Sequence, residues 1–176
     1  MESMEHILIS CQATPQRLIW HLAKDLWPHN QNQWPEIYLG IILRCESISL
    51  PKNGPWEIPN KWGIRDQRPK KWEAECLLQI LISEAAHLIW ALQCNRVIGN
   101  PDQIHTDEEI RSWWLKAING WLTEDKIFAT KIQHGKWNSK LVKETWEPTL
   151  WQSMDIPNDW IHNREVLVGR RAHHLP

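Results

Sequence analysis

Apolar residues recur at intervals of three and four along most of this chain and seldom at intervals of two, a pattern that predicts helices and no sheet. Thr14 stands where a helix N-cap is wanted, with Pro15 at the first helical position, where the missing N–H costs nothing. Leu18, Ile19, Leu22 and Leu26 follow at helical spacing until Trp27-Pro28 stops the run. A second, short helix is expected from Pro35 to about Arg44 on Ile37, Ile41 and Ile42. From Trp72 to Ile98 the spacing predicts one long helix whose apolar residues, from Leu77 to Leu92, cover most of its circumference, as for a helix in the middle of a bundle. Gly99, Asn100 and Pro101 are expected to end it with a left-handed cap followed by a breaker.

Thr106 and Glu109 make a capping box that opens a further helix, with Ile110, Trp113 or Trp114, Ala117, Ile118 and Trp121 on one stripe. Thr123 is expected to cap another, carrying Ile127, Phe128 and Ile132 and ending at Gly135. Ser139 to Trp146 reads as a last helix, stopped by Pro148. The expected fold is therefore all-α, an irregular bundle around the long helix with the N-terminal helix docked on it. Residues 46–71 interrupt the pattern as a Pro-rich, locally basic linker holding Pro51, Pro55, Pro59 and Pro69, where neither helix nor strand can persist. Residues 72–153 form the helical core and 154–176 a tail with one apolar piece at Val166, Leu167 and Val168.

Composition narrows the class. The 176 residues suit one core with loose ends, and a formal net charge of −1 gives no global electrostatic case for nucleic acid or an anionic membrane. Cys11, Cys45, Cys76 and Cys94 form no CxxC pair, which points to free thiols in a reducing compartment. No signal peptide is visible at the N-terminus, and the longest uninterrupted apolar run, Cys76 to Ile82, is far short of the roughly 18 residues of a spanning segment. The expectation is an intracellular chain without a membrane partner. Fourteen tryptophans stand against one tyrosine and one phenylalanine. Selection for aromatic packing normally recruits all three rings, so two readings stand: a tryptophan-rich core, or decay of arginine codons, since TGG is one C-to-T transition from the arginine codon CGG. On the second reading Trp34, Trp56, Trp62 and Trp137 occupy former arginine positions and are exposed, while Trp20, Trp90 and Trp121 extend apolar faces and are buried.

The chemistry-bearing residues are few. His6 and Cys11 have a His-x4-Cys spacing that reads as half of a zinc site, which wants four tetrahedral ligands. The other pair is expected upstream of Met1, so the chain is expected to be a truncated piece of something longer. Glu84 and His87 make one Glu-x-x-His unit, where a di-iron bundle uses two, and the simpler expectation is a core histidine paired with its neighbour. There is no Tyr-x-Asp-Asp-like run, P-loop, GxGxxG, GxSxG or HExxH. The acids at Asp107, Glu108, Glu109, Glu124 and Asp125 lie at expected helix starts, where the helix dipole explains them. No catalytic set is visible.

MESMEHILISC followed by RLIWHLAKDLWP resembles the second half of the zinc-binding segment downstream of reverse transcriptases in non-LTR-type retroelements. LLQILISEAAHLIWALQCNRVI, EIRSWWLKAINGWLTEDKI and REVLVGRRAHH are similar to the C-terminal region of fungal retroelement polyproteins, which carry reverse transcriptase and RNase H upstream. The resemblance covers almost the whole chain and makes 1–45 a partial zinc-binding segment with its N-terminal helices. It implies His6 and Cys11 as zinc ligands, with no cofactor bound unless ligands outside this chain complete the site. It also implies an accessory role in holding template nucleic acid. Where the family leads one to expect arginine, this chain has Gln33, Trp34, Gln93 and Trp113.

The function expected is thus non-catalytic: a remnant of a retroelement polyprotein that at most binds RNA or single-stranded DNA weakly. Lys61, Arg65, Arg68, Lys70 and Lys71 of the linker and Arg170 and Arg171 of the tail are the candidate contacts, with Arg164, His173 and His174 beside them. The alternative is a small helical protein-interaction module that uses exposed tryptophans as anchors, its partner unspecified.

Overall fold

The structure, a computed structural model, describes residues 3–11, 14–28, 34–50, 72–99, 105–131, 139–151 and 156–169. Among these the fold is all-α. Helices α1 (Thr14–Leu26), α2 (Leu39–Leu43), α3 (Trp72–Cys94), α4 (Asp107–Lys131) and α5 (Ser139–Trp146) carry the architecture, with short 3-10 and π turns beside them. No strand forms among the described residues beyond one isolated antiparallel bridge, Leu150 with Val168.

The core is built on α3. Eleven of its residues are buried, among them Leu77, Leu78, Leu81, Ile82 and Ala85 with no exposed surface. α1 packs on it through Ile19 and Ala23, α4 through Ile110, Trp114, Ile118 and Leu122, and α5 through Val142 and Trp146. The long helix ends in a π turn, Asn95–Gly99, whose residues are all exposed. Gly99 sits in that turn without left-handed backbone, contrary to the expected cap; Asn100 and Pro101 lie outside the described residues. By length and composition the stretch Trp72–Gly99 is apolar enough to cross a membrane, and here much of it is the inside of a bundle.

Burial of α3 covers most of its circumference and leaves one face open, which corrects the expectation for Trp90. At 3.6 residues per turn Trp90 falls opposite Leu81 and Ala85, so its ring is 42 % exposed. Trp121 is also not buried: it stands at the rim of the α4 stripe, 37 % exposed, because its ring N–H reaches out to Glu84 Oε2 at 2.8 Å. Among the described residues the enclosed tryptophans are Trp27, Trp114, Trp146 and Trp160.

Other differences have local causes. The second helix begins only at Leu39, with 34–38 in no regular element and Tyr38 extended as its N-cap. The expected break at Thr123 does not occur. Its hydroxyl donates to the Asn119 carbonyl four residues back at 2.8 Å, a bond that satisfies the side chain inside a continuing helix, and α4 runs on to Lys131. Ile127 and Phe128 consequently stay exposed on that helix. The capping box forms as expected: Thr106 Oγ1 accepts from the Glu109 N–H at 3.2 Å and Glu109 Oε2 accepts from the Thr106 N–H at 2.8 Å. Pro148 sits in a 3-10 turn, Glu147–Thr149, directly after α5.

Polar groups buried with the core tie the non-helical segments down. Trp146 Nε1 donates to Asp125 Oδ2 at 2.7 Å, joining α5 to α4. Lys126 Nζ donates to the carbonyls of Asn163 and Val166 at 3.0 and 2.9 Å and lies over the ring of Trp160. Val168 N–H donates to Asn119 Oδ1 at 2.7 Å, so two side chains of α4 fasten the segment 156–169. Glu75 Oε1 accepts from the Leu50 N–H at 3.0 Å, fixing the end of the 34–50 segment against α3.

Two predictions follow from this packing. Leu81→Asp places an unpaired charge where no water reaches, at a cost of several kcal/mol, and is expected to abolish the cooperative melt followed by circular dichroism. A normal melt for that variant would contradict the architecture. Burial pushes the Asp125 carboxyl above its ordinary range, with the Trp146 hydrogen bond opposing and Glu124 adding to the rise. A carboxyl that holds its proton more tightly when folded contributes stability in full below its unfolded value of 3.8 and loses it as pH rises through the folded value. Asp125→Asn retains an acceptor for Trp146, so its stability is expected to fall less than that of the unaltered protein between about pH 4 and 7. Denaturant titrations across that range check it, and an unchanged pH dependence would refute it.

Candidate nucleic-acid interface

The residues of the expected zinc half-site lie in one compact N-terminal turn. His6–Ser10 forms a π turn closed by the Cys11 N–H donating to the His6 carbonyl at 2.7 Å. His6 Nδ1 lies 3.3 Å from Ser10 Oγ, and His6 is exposed while Cys11 is half-buried. Among the described residues no group of three or more His, Cys, Asp or Glu side chains is placed to hold a metal ion. Two donors alone do not make the closed four-ligand set that structural zinc requires.

The same turn has a second role. Its carbonyls point at α1, where the Gln16 amide donates to Leu8 O at 3.1 Å and Ile9 O at 2.7 Å, and Trp20 Nε1 donates to Leu8 O at 2.9 Å. Gln16 is buried, so these bonds are shielded from water and hold the turn against the helix. Across from it the stretch 34–37 returns, with Trp34 set edge-to-face on buried Trp27 at 6.2 Å between ring centres. Turn, helix and returning stretch enclose an open groove of about 690 Å³ lined by Ile9, Gln16, Arg17, Leu18, Trp20, His21, Lys24, Trp34 and Ile37.

The groove mixes apolar side chains with the buried amide of Gln16 and the exposed cations Arg17 and Lys24. Arg17, His21 and Lys24 recur at spacings of four and three on one face of α1 and are exposed. His21 Nε2 pairs with Asp25 Oδ2 at 3.2 Å, which assigns that carboxylate to the histidine rather than to Arg17 or Lys24. Trp20 and Trp34 are each half-buried, with planes set by the hydrogen bond to Leu8 and by the Trp27 contact. Cationic side chains beside indole faces are the elements by which proteins hold phosphates and unpaired bases.

None of this groove was among the candidate contacts from sequence. Lys61, Arg65, Arg68, Lys70, Lys71, Arg170 and Arg171 lie outside the described residues, as do His173 and His174; Arg164 is exposed in a turn. The Arg17, His21, Lys24 spacing was readable as one helix face, but Trp34, across a connection, was not placeable from spacing. Trp34 itself is half-buried against the core, not exposed as expected of a former arginine, because Trp27 supplies a ring to pack on. Trp20, expected buried, is likewise half-buried; Trp56, Trp62 and Trp137 lie outside the described residues.

Elsewhere, Glu84 and His87 do pair, with Nδ1 and Oε1 3.4 Å apart, but His87 is exposed and not a core histidine. Glu84 spends its other oxygen on Trp121, an arrangement that ties α3 to α4. The four cysteines are free and half-buried. Burial pushes the Cys45 and Cys76 thiols up, and neighbouring carboxylates, Glu46 for Cys45 and Asp125 for Cys76, push the same way. Thiols held protonated are poor nucleophiles. No family model, no curated protein and no solved structure matches the chain.

Zinc is expected to be without effect on stability, since a ligand stabilises only through binding the native state. Thermal melts with and without added zinc should superimpose for the unaltered protein and for His6→Ala. A zinc-dependent rise of several degrees that His6→Ala removes would show a functioning site.

Proposed function

We propose that this chain is a non-catalytic accessory segment related to the region downstream of reverse transcriptase in retroelement polyproteins, and that it contacts single-stranded nucleic acid weakly through phosphates. The observation that carries the reading is the groove on α1, which places Arg17 and Lys24 beside Trp20 and Trp34. The non-catalytic reading is supported by how the two buried acids, Asp125 and Glu75, and the less buried Glu84 and Glu109 are used. Asp125 accepts from Trp146, Glu75 from the Leu50 backbone, Glu84 from Trp121 and Glu109 from the helix cap. Each carboxylate is committed to a structural donor on a different part of the bundle.

A net charge of −1 with local cations favours binding by few phosphate contacts, hence weak and salt-dependent. Titration of labelled single-stranded RNA at two salt concentrations is expected to give an affinity that falls with salt. Replacing both Arg17 and Lys24 with Ala should weaken binding and reduce the salt slope by roughly 1 to 2, at about 0.7 per phosphate contact on a single strand. Failure to bind at low salt, or tight binding indifferent to salt, would refute the reading.

The alternative, a helical protein-interaction module, is favoured by one observation: Trp72, Trp90, Trp121 and Trp151 are exposed. They stand on three different stretches of the chain, α3, α4 and the turn after α5. Related genomic copies with arginine codons at the Trp and Gln positions would favour the retroelement reading, and their absence the module.

A further inference from the structure

We infer that the groove on α1 holds the face of one unpaired base, with Trp34 as the stacking platform and Arg17 and Lys24 on the flanking phosphates; this rests on the nucleic-acid reading above. A volume of about 690 Å³ lies within the range of roughly 300–1,000 Å³ typical of small-ligand sites, room for a nucleoside unit. Both rings are fixed before any ligand arrives, Trp20 by its N–H bond to Leu8 O and Trp34 by its edge-to-face contact with Trp27. A ring already immobilised loses little further freedom when a base stacks on it. Arg17 and Lys24 are seven residues apart on one helix face, about 10 Å along the axis at 1.5 Å per residue, and both line the groove with Trp20 and Trp34.

The face of a base is open to an indole only when the base is unpaired. In a duplex, neighbours cover both faces and only the edges remain, so a groove lined by indoles discriminates strands by pairing state. Arg17 and Lys24 alone make no such distinction, because phosphates are present in both. The selectivity therefore lies in Trp34.

Fluorescence anisotropy with three labelled probes tests this: a short oligothymidine, an abasic deoxyribose-phosphate strand of equal length, and a duplex containing the same sequence. Oligothymidine is expected to bind about tenfold more tightly than either of the others at the same salt, the worth of one stacked base. Trp34→Leu keeps an apolar contact for Trp27 and should lower oligothymidine to the abasic level while leaving the abasic strand unaffected. Trp34→Phe should restore most of the difference, and Trp151→Leu, outside the groove, should not alter it. Should Trp34→Leu lose its helical melt, the probe comparison on the unaltered protein and Trp34→Phe still decide. Equal affinity for oligothymidine and the abasic strand overturns the stacking inference while the phosphate reading stands. No binding of any probe at low salt overturns both.

Discussion

A helix that is apolar over half its circumference cannot be covered by one neighbour, and everything else in this fold answers that constraint on α3. A single packed helix shields a stripe; the arc from Leu77 through Leu81 and Ala85 to Ala86 and Ile89 is wider. Three helices share the task, α1, α4 and α5, and none of them is apolar enough to stand alone, since each presents charge on its outer side. Where coverage ends, at the C-terminal third of α3, the sequence turns to exposed Trp90 and the exposed π turn. Among the described residues the bundle is denser around the first two thirds of α3 than at its end, where Ile89 and Leu92 are still buried.

Apolar packing alone does not specify the register between helices, because it is indifferent to small slides. Here directional bonds supply it. Asp125 and Lys126 are consecutive on α4 and both buried, and the first reaches α5 while the second reaches the segment 156–169. Burial holds the Lys126 ammonium below its ordinary pKa range, as it pushes the Asp125 carboxyl up. Each charge is thus costly, and each is retained with charge-assisted hydrogen bonds, which are about twice as strong as neutral ones. A slide of α4 by one residue would strand both groups without partners, so the pair acts as a register pin.

The helices were legible because their signals are local: the capping box at Thr106 and Glu109, the stop at Trp27-Pro28 and the apolar density of α3 each act within a turn or two. The misreadings share one cause. Thr123 has the chemistry of a cap, yet inside a helix its hydroxyl can bond Asn119 O and nothing is broken. Trp90 and Trp121 are apolar on paper, but a helix has an outside, and which residues face it depends on how many neighbours arrive. The groove was half legible: its cations share a helix face, whereas its second ring and the Gln16 staple come from contacts across loops. The half-site spacing of His6 and Cys11 gave no hint of what their turn does in the fold, where its Leu8 and Ile9 carbonyls take the Gln16 and Trp20 donors of α1.

The tryptophans divide along the same physical line. Trp114 is fully enclosed among Ile110, Ile118 and Leu122, with its ring N–H unpartnered among the described residues. Leaving that donor unmade costs about 1–3 kcal/mol, whereas burying roughly 150–250 Å² of indole at about 25 cal/mol/Å² contributes about 4–6 kcal/mol. Packing wins, and an arginine there would bury a charge with no counterpart. At Trp146 the balance differs: the ring N–H meets Asp125, so an arginine at that position would meet a carboxylate. Codon decay from arginine is thus physically compatible with Trp146 and with the exposed rings of Trp90 and Trp151, and incompatible with Trp114. The indoles thus differ in whether an arginine could stand in their place: at Trp114 it would bury an unpaired charge, whereas at Trp146 and at exposed Trp90 and Trp151 it would not.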